Sequence, residues 1–248
     1  MKLVVLGCWA PYPAPNQACS GYLLEIAGRR ILVDLGHGAF GKLQHILDFS
    51  KLDAVFISHL HPDHCADLSC LRHAILSANR LGRELRLPVF VPYDPPEKFE
   101  VLAGFEDAFE VHTISTDSRE PLEVAGIGCE IFRTCHPIPT YGLVVQGEGT
   151  KFVYTSDTGW KAELVDISRG ADILLCEGSL LTADSHLAGK GHLTGEQAGV
   201  LALEAGVGML VLTHFWPGYA LRDLQQEVSY VFPGKFELAG EFRAYIQN

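Results

Sequence analysis

Six short apolar runs in this chain end on a side chain able to bind a metal. "ILVD" closes on Asp34, "VFISH" on His59 and "IFRTCH" on His136. "VYTSD" closes on Asp157, "ILLCE" on Glu177 and "LVLTH" on His214. Short runs rich in Val and Ile read as buried strands. One polar terminus could arise by chance. Six place a site along one rim of the sheets, the edge where open α/β sheets hold their ligands.

Further runs of the same kind fill the chain. Strands are expected at 2–7, 20–26, 29–36, 53–59, 88–93, 110–115, 129–136, 141–147, 151–157, 171–178, 208–215 and 234–239. Helical patterns fall at 40–49, 67–81, 161–168, 194–205 and 220–231. "EIAGRRILV" reads as a hairpin turning at Ala27-Gly28. The proline-dense "PVFVPYDPPEKF" at 88–99 reads as a surface connection. Strand-rich and alternating segments together predict an α/β fold with two mixed β-sheets packed on each other and helices outside. No linker or repeat divides the 248 residues, so one domain spanning 1–248 is expected.

Charge and cysteine content narrow the chemistry. Nineteen Lys and Arg against 30 Asp and Glu leave a net charge of −11. Such a chain has no basic stripe for a long nucleic-acid backbone. Seven cysteines without a C-x-x-C pair do not make a disulfide framework and read as reduced thiols. "MKLVVLGC" is too short an apolar run for a signal core, and no run reaches the ~18 residues of a membrane span. A cytoplasmic location with no membrane partner is the expectation.

The densest signal is "SHLHPDHCADL", which holds His59, His61, Asp63 and His64. In an extended segment the period of two puts His59 and His61 on one side. Pro62 keeps His61 extended. Asp63 and His64 then turn toward a helix expected to begin near Asp67. Imidazole and carboxylate suit zinc, and also iron or manganese.

On these residues the chain resembles the metallo-β-lactamase fold superfamily from its first strand to His214. The resemblance implies a four-layer αβ/βα sandwich, a dinuclear metal site and a hydrolase. It implies that Asp34 orients a ligand, that His59, His61 and His136 hold one metal, and that Asp63, His64 and His214 hold the other. Asp157 would bridge them, leaving room for a bridging hydroxide as nucleophile. Two Zn2+ ions are the expected cofactors, with Mn2+ or Fe as alternatives, and Asp63 would help position the attacking hydroxide. A homodimer is also implied.

With seven ligands counted, His192 in "GKGHLTGEQAG" is left for another task. "LLCEGSL" with Glu177 and "GHLTGEQAG" with His192 and Thr194 are similar to the ribonuclease Z and phosphodiesterase branch, although the usual G-T-G opening is here Gly7-Cys8-Trp9. A leaving alkoxide is a strong base, and a carboxylate-tuned histidine is a suitable acid. Catalytic roles therefore fall to Asp63, His192 and Glu177, with Glu177 orienting His192 and Thr194 capping the helix that follows. The tRNA-gripping arm of ribonuclease Z is basic and rich in Gly and Pro, and neither the Asp157–His192 nor the His64–His136 interval carries one. The expected substrate is a small phosphodiester or short nucleic acid. Alternatives are a lactone or thioester hydrolase using Tyr141 or Tyr219, a tRNA 3′-end endonuclease, and a non-catalytic metal-binding scaffold. The last conflicts with a complete ligand set. Among the other histidines, His37 lies near the site in sequence and is a candidate substrate contact, while His45, His73, His112 and His186 read as surface or core residues.

Overall fold

The computed structural model describes residues 1–116 and 122–247. The first sheet takes its strands from β1 (Lys2–Gly7), β2 (Gly21–Ile26), β3 (Arg29–Leu35), β4 (Ala54–Phe56), β5 (Leu87–Pro92) and β6 (Phe109–Ile114). The second takes β7 (Leu122–Val124), β8 (Ile127–Arg133), β9 (Tyr141–Gly147), β10 (Thr150–Tyr154), β11 (Ile173–Glu177), β12 (Leu210–Thr213) and β13 (Phe236–Leu238). β14 (Ala244–Ile246) returns to the edge of the first sheet. Among the described residues each sheet has seven strands, ordered 14-1-2-3-4-5-6 and 13-12-11-10-9-8-7. In each, one half is antiparallel and the other parallel: β3 through β6 run parallel, as do β10 through β13.

Alternation along the strands builds the layers. Leu3, Val5, Tyr22, Leu24, Ile31 and Val33 enter the core shared with the second sheet. Their neighbours Val4, Leu6, Leu23 and Leu32 enter a separate core under the helices. Period-two side chains reach opposite faces, so one strand serves two layers. The helices are α1 (Ala39–Leu43), α2 (Pro62–Cys65), α3 (Leu68–Arg80), α4 (Pro96–Ala103), α5 (Glu163–Ser168), α6 (Gly195–Ala205) and α7 (Leu221–Val231). α3 closes the outer core with Leu68, Leu71 and Ile75. α6 buries Ala198, Leu201, Ala202 and Ala205 in the core of the second sheet. The result is the expected sandwich of two mixed sheets flanked by helices. No helix among the described residues is long and apolar enough to cross a membrane.

Several local expectations change. The 88–99 segment is not a plain surface connection: 88–92 belongs to β5, and α4 starts at Pro96. Proline fits the first helical turn because its missing N–H would have no partner there. The 40–49 helix shrinks to Ala39–Leu43, followed by turns and a 3₁₀ turn at Phe49–Lys51. β7 and β14 were not expected, because three residues at a sheet edge carry no readable period. The Ala27-Gly28 hairpin holds, with both residues at positive φ (48° and 75°), as a tight turn between twisted strands requires.

All seven cysteines are free. Burial pushes the Cys8, Cys19 and Cys129 thiols up to about 12, whereas Cys70 and Cys135 are exposed. The thiolate is the reactive form. Iodoacetamide at pH 8 should therefore label Cys70 and Cys135 in the native protein. Mass spectrometry showing early labelling of Cys8 or Cys129 would contradict the packing described.

Candidate metal centre

The rim begins with backbone geometry. Asp34 near the end of β3, Ser156 beyond β10 and His214 beyond β12 have φ of 58°, 54° and 65°. Left-handed backbone is unfavourable for residues with a Cβ and concentrates at functional sites. Here it bends each chain at the carboxyl end of its strand. After β4, His61 stays extended and caps α2, whose first residue is Pro62. This extra helical turn carries Asp63 and His64 and precedes α3, which begins at Leu68 with Asp67 as its N-cap, as expected. Gly36 permits this placement, since a Cβ there would collide with the Asp63 carbonyl.

All seven candidate ligands converge. The ligand atoms of His59, His61, His136 and Asp157 lie within 4.8 Å of one another, and so do those of Asp63, His64 and His214. Asp157 stands between the groups. Its Oδ1 lies 3.2 Å from His64 Nε2 and 3.0 Å from His214 Nε2. Its Oδ2 lies 3.6 Å from His59 Nε2 and 3.7 Å from His136 Nε2. Asp63 Oδ2 is 3.7 Å from His64 Nε2 and 3.5 Å from His214 Nε2.

Hydrogen bonds on the far side of the rings set the tautomers. Ser58 Oγ donates to Asp34, so at 3.1 Å it accepts from His59 Nδ1. Thr140 Oγ1 donates to the Ile138 carbonyl and accepts from His136 Nδ1 at 2.8 Å. Ser179 Oγ donates to Glu177 and accepts from His214 Nδ1 at 2.7 Å. His64 Nδ1 donates to Asp34 Oδ2 at 2.8 Å. Four histidines thereby turn Nε2 inward, where it holds either a proton or a metal, as outer hydrogen bonds do around bound metals. The consequence is visible as facing nitrogens: the Nε2 atoms of His64 and His214 are 3.1 Å apart. Two facing acceptors need a proton or a metal cation between them. Asp157 Oδ1 is buried without a properly directed donor. The donor set fits two divalent cations with a shared carboxylate.

Electrostatics separates the two groups. Burial pushes His59 well below its usual pKa, His64 adding to it, and takes His136 down to about 4. His61 is also lowered by burial. Burial acts on His64 and His214 too, but carboxylates outweigh it. Asp157, Asp34 and Asp63 hold His64 well above the usual range, and Asp157 with Asp63 carries His214 up to about 10. Despite its own burial, Asp157 is held well below the usual range by His214, His64 and His59. The His64–His214 side therefore demands positive charge most strongly.

Glu177 is 1% exposed and ends β11 beside this cluster. Its Oε1 accepts from Thr158 N at 2.7 Å and His192 Nδ1 at 3.1 Å. Its Oε2 accepts from Ser179 Oγ at 2.7 Å and Leu193 N at 3.1 Å. The His192 ring lies 5.5 Å from that of His214 and 22° from coplanar with it. Burial alone would lower His192, but Glu177 raises it. Gly191, at φ 107°, brings the loop in, because a Cβ there would lie 2.7 Å from His136 Cδ2. Thr194 caps α6 in a full capping box with Gln197, as expected. A ring nitrogen of His192 also groups with Asp157 and His214 within 4.8 Å, so distance alone leaves metal binding open to it.

Other expectations move away from the site. His37 is exposed and does not line the cavity beside the cluster. His45 meets Phe242 edge-on, His112 stacks on Phe90, and His73 and His186 are exposed. Tyr219 donates its hydroxyl to Asp184 at 2.5 Å, and Tyr141 is buried; neither lines that cavity. Sequence reasoning did not single out Ser58, Thr140, Tyr154 or Ser179. For Ser58 the available signal was its place directly before His59.

A family model described as a beta-lactamase superfamily domain matches residues 29–215. The chain belongs to the beta-lactamase superfamily. The "Probable metallo-hydrolase YhfI" of Bacillus subtilis is 34% identical over 243 residues, covering 96% of this chain and 97% of that protein. The crystal structure of YhfI, a metallo-beta-lactamase fold protein, superposes with a TM-score of 0.92 at 31% identity, covering 98% of each chain. The ribonuclease Z of Ignicoccus hospitalis is 26% identical over 287 residues, covering 95% of each.

Two outcomes test the centre. Asp34→Asn replaces acceptor oxygen by a donor amide facing Ser58, Tyr154 and His64, and should weaken metal affinity about 10–100-fold in a chelator competition. Because His64 and His214 are raised, they hold protons at neutral pH that a metal must displace. Metal binding should therefore release protons and weaken as pH falls. Calorimetry in buffers of different ionisation enthalpy checks this, and identical heats in all buffers would contradict it.

Proposed function

We infer that this hydrolase cleaves a small phosphodiester of a nucleotide or RNA type with the help of two divalent metal ions, zinc first and manganese or iron as alternatives. The observation that carries this reading is the Glu177–His192 pair beside the ligand cluster. His59, His61 and His136 with Asp157, and Asp63, His64 and His214 with the same Asp157, would hold the ions. Bound there, the ions supply an acidified water as nucleophile and positive charge for the phosphoryl oxygens.

The protein's own groups account for the other half of the reaction. Glu177 fixes His192 Nδ1, which turns Nε2 toward the cavity. Protonated at Nε2, His192 donates to a phosphate oxygen or to the departing alkoxide. Asp63, on the rigid first turn of α2, accepts a hydrogen bond from the attacking water and orients it. Phosphodiester cleavage needs acid assistance because its leaving group is a strong base.

The lactone or thioester reading lacks comparable support. It needs Tyr141 or Tyr219 to donate to an oxyanion, but neither lines the cavity beside the cluster, and the Tyr219 hydroxyl is engaged by Asp184. For tRNA processing, the likeness to a ribonuclease Z stands against the net charge of −11, so a smaller substrate is the better reading.

His192→Ala should keep both metals by elemental analysis yet lower turnover of bis-p-nitrophenyl phosphate about 10²–10⁴-fold. Loss of one metal would reassign His192 as a ligand. A panel with cyclic nucleotides, a lactone and a thioester tests the class, and turnover of the lactone or thioester alone would overturn the phosphodiester reading.

A further inference from the structure

We propose that Trp216 is a stacking platform for a nucleobase, so that the substrate is a nucleotide-sized phosphodiester rather than a base-free one. The proposal deepens the phosphodiesterase reading and rests on it for the reaction, but not for the binding. A cavity of about 620 Å³ opens beside the candidate metal centre, within the range of small-molecule sites. His61, Asp63, Asp157, His192 and His214 form its reactive wall. Much of the remaining lining is apolar: Pro11, Leu180, Leu187 and Trp216. A phosphate gains nothing from covering such a surface. An aromatic group attached to the phosphate does.

The chain takes care to present this indole. β12 ends at Thr213, His214 bends at positive φ, and Phe215 drops into the core with no exposure. Trp216 then emerges toward the cavity and remains 37% exposed. Gly218 packs against the ring, since a Cβ there would sit 3.3–3.4 Å from three indole carbons. Tyr219 meets the indole edge-on at 4.8 Å and 85°, and is itself tied to Asp184. A ring held by its own loop loses little freedom when a ligand arrives. Bases stack on such rings whatever their identity. Lys190, exposed on the rim of the same cavity, adds an ammonium for a phosphate oxygen.

The test compares AMP with ribose 5-phosphate on the metal-loaded protein by calorimetry. They carry the same phosphate and sugar and differ in the base. Wild type should bind AMP about tenfold more tightly. Trp216→Ala should bring the ratio close to one, and Trp216→Phe should retain most of it. Equal binding by wild type, or a ratio that survives in Trp216→Ala, overturns the proposal. Diester turnover is read separately. A preserved base preference with no hydrolysis of any diester would overturn the phosphodiesterase reading and leave the platform standing.

Discussion

The Asp34 carboxylate is the interaction on which the rest depends. It is fully buried at the end of β3 and accepts four hydrogen bonds. Ser58 N donates at 2.7 Å and Ser58 Oγ at 2.9 Å, Tyr154 Oη at 2.7 Å and His64 Nδ1 at 2.8 Å. These donors come from the loop after β4, from β10 in the opposite sheet and from α2. One charge therefore binds both sheets and the ligand loop. Hydrogen bonds to a charged group contribute about 1.5–3 kcal/mol each, and a buried charge without them would be strongly unfavourable. The carboxylate is tolerated because every partner is in place, and each partner is fixed because the carboxylate is there.

From that anchor the order spreads outward. Ser58 passes orientation from Asp34 to His59, and Asp34 itself orients His64. On the other sheet Glu177 plays the same part: through Ser179 it orients His214, and directly it orients His192. The two buried carboxylates sit at the ends of β3 and β11, on facing sheets. Between them they set the rings of four histidines without occupying the space where cations would lie. Tyr22 and Tyr154, 5.4 Å apart, fill the core beneath, and Tyr22 reaches Thr213 at 2.7 Å. Packing beneath and hydrogen bonds around leave the ligands little freedom to lose on binding.

How much of this is legible in the sequence depends on range. The H-x-H-x-D-H stretch is legible because four ligands lie within six residues. The remaining ligands are legible because each ends an apolar run. Glu177 and His192 could be paired because their segments resemble the ribonuclease Z branch and because a carboxylate suits a histidine acid. The hydroxyls could not. Ser58, Thr140, Tyr154 and Ser179 belong to residue types found throughout any chain, and only the meeting of two sheets gives each its partner. The helical start at Pro62 and α4 were hidden by prolines, which read as breaks although they are at home in a first turn. Trp216 lies one residue past the expected 208–215 strand, where nothing in the sequence assigns an aromatic residue a partner.

The two sheets also divide the proposed chemistry. The first contributes His59, His61, Asp63 and His64 from one continuous segment, braced by Asp34. The second contributes His136, Asp157 and His214 from three separate strand ends, and adds Glu177, His192 and Trp216. Parts that would hold cations thus come from both sheets, while His192 and Trp216, which would meet the phosphate and the base, come from the second. The loops after β11 and β12 can therefore vary in length and residue with little effect on Asp34 and its partners. A change of substrate in such a fold calls for new residues in those loops, not for a new ligand set. Glu177 is the limit on that freedom, because one carboxylate orients a candidate ligand, His214, and a candidate acid, His192. A loop that displaced it would disturb binding and chemistry together.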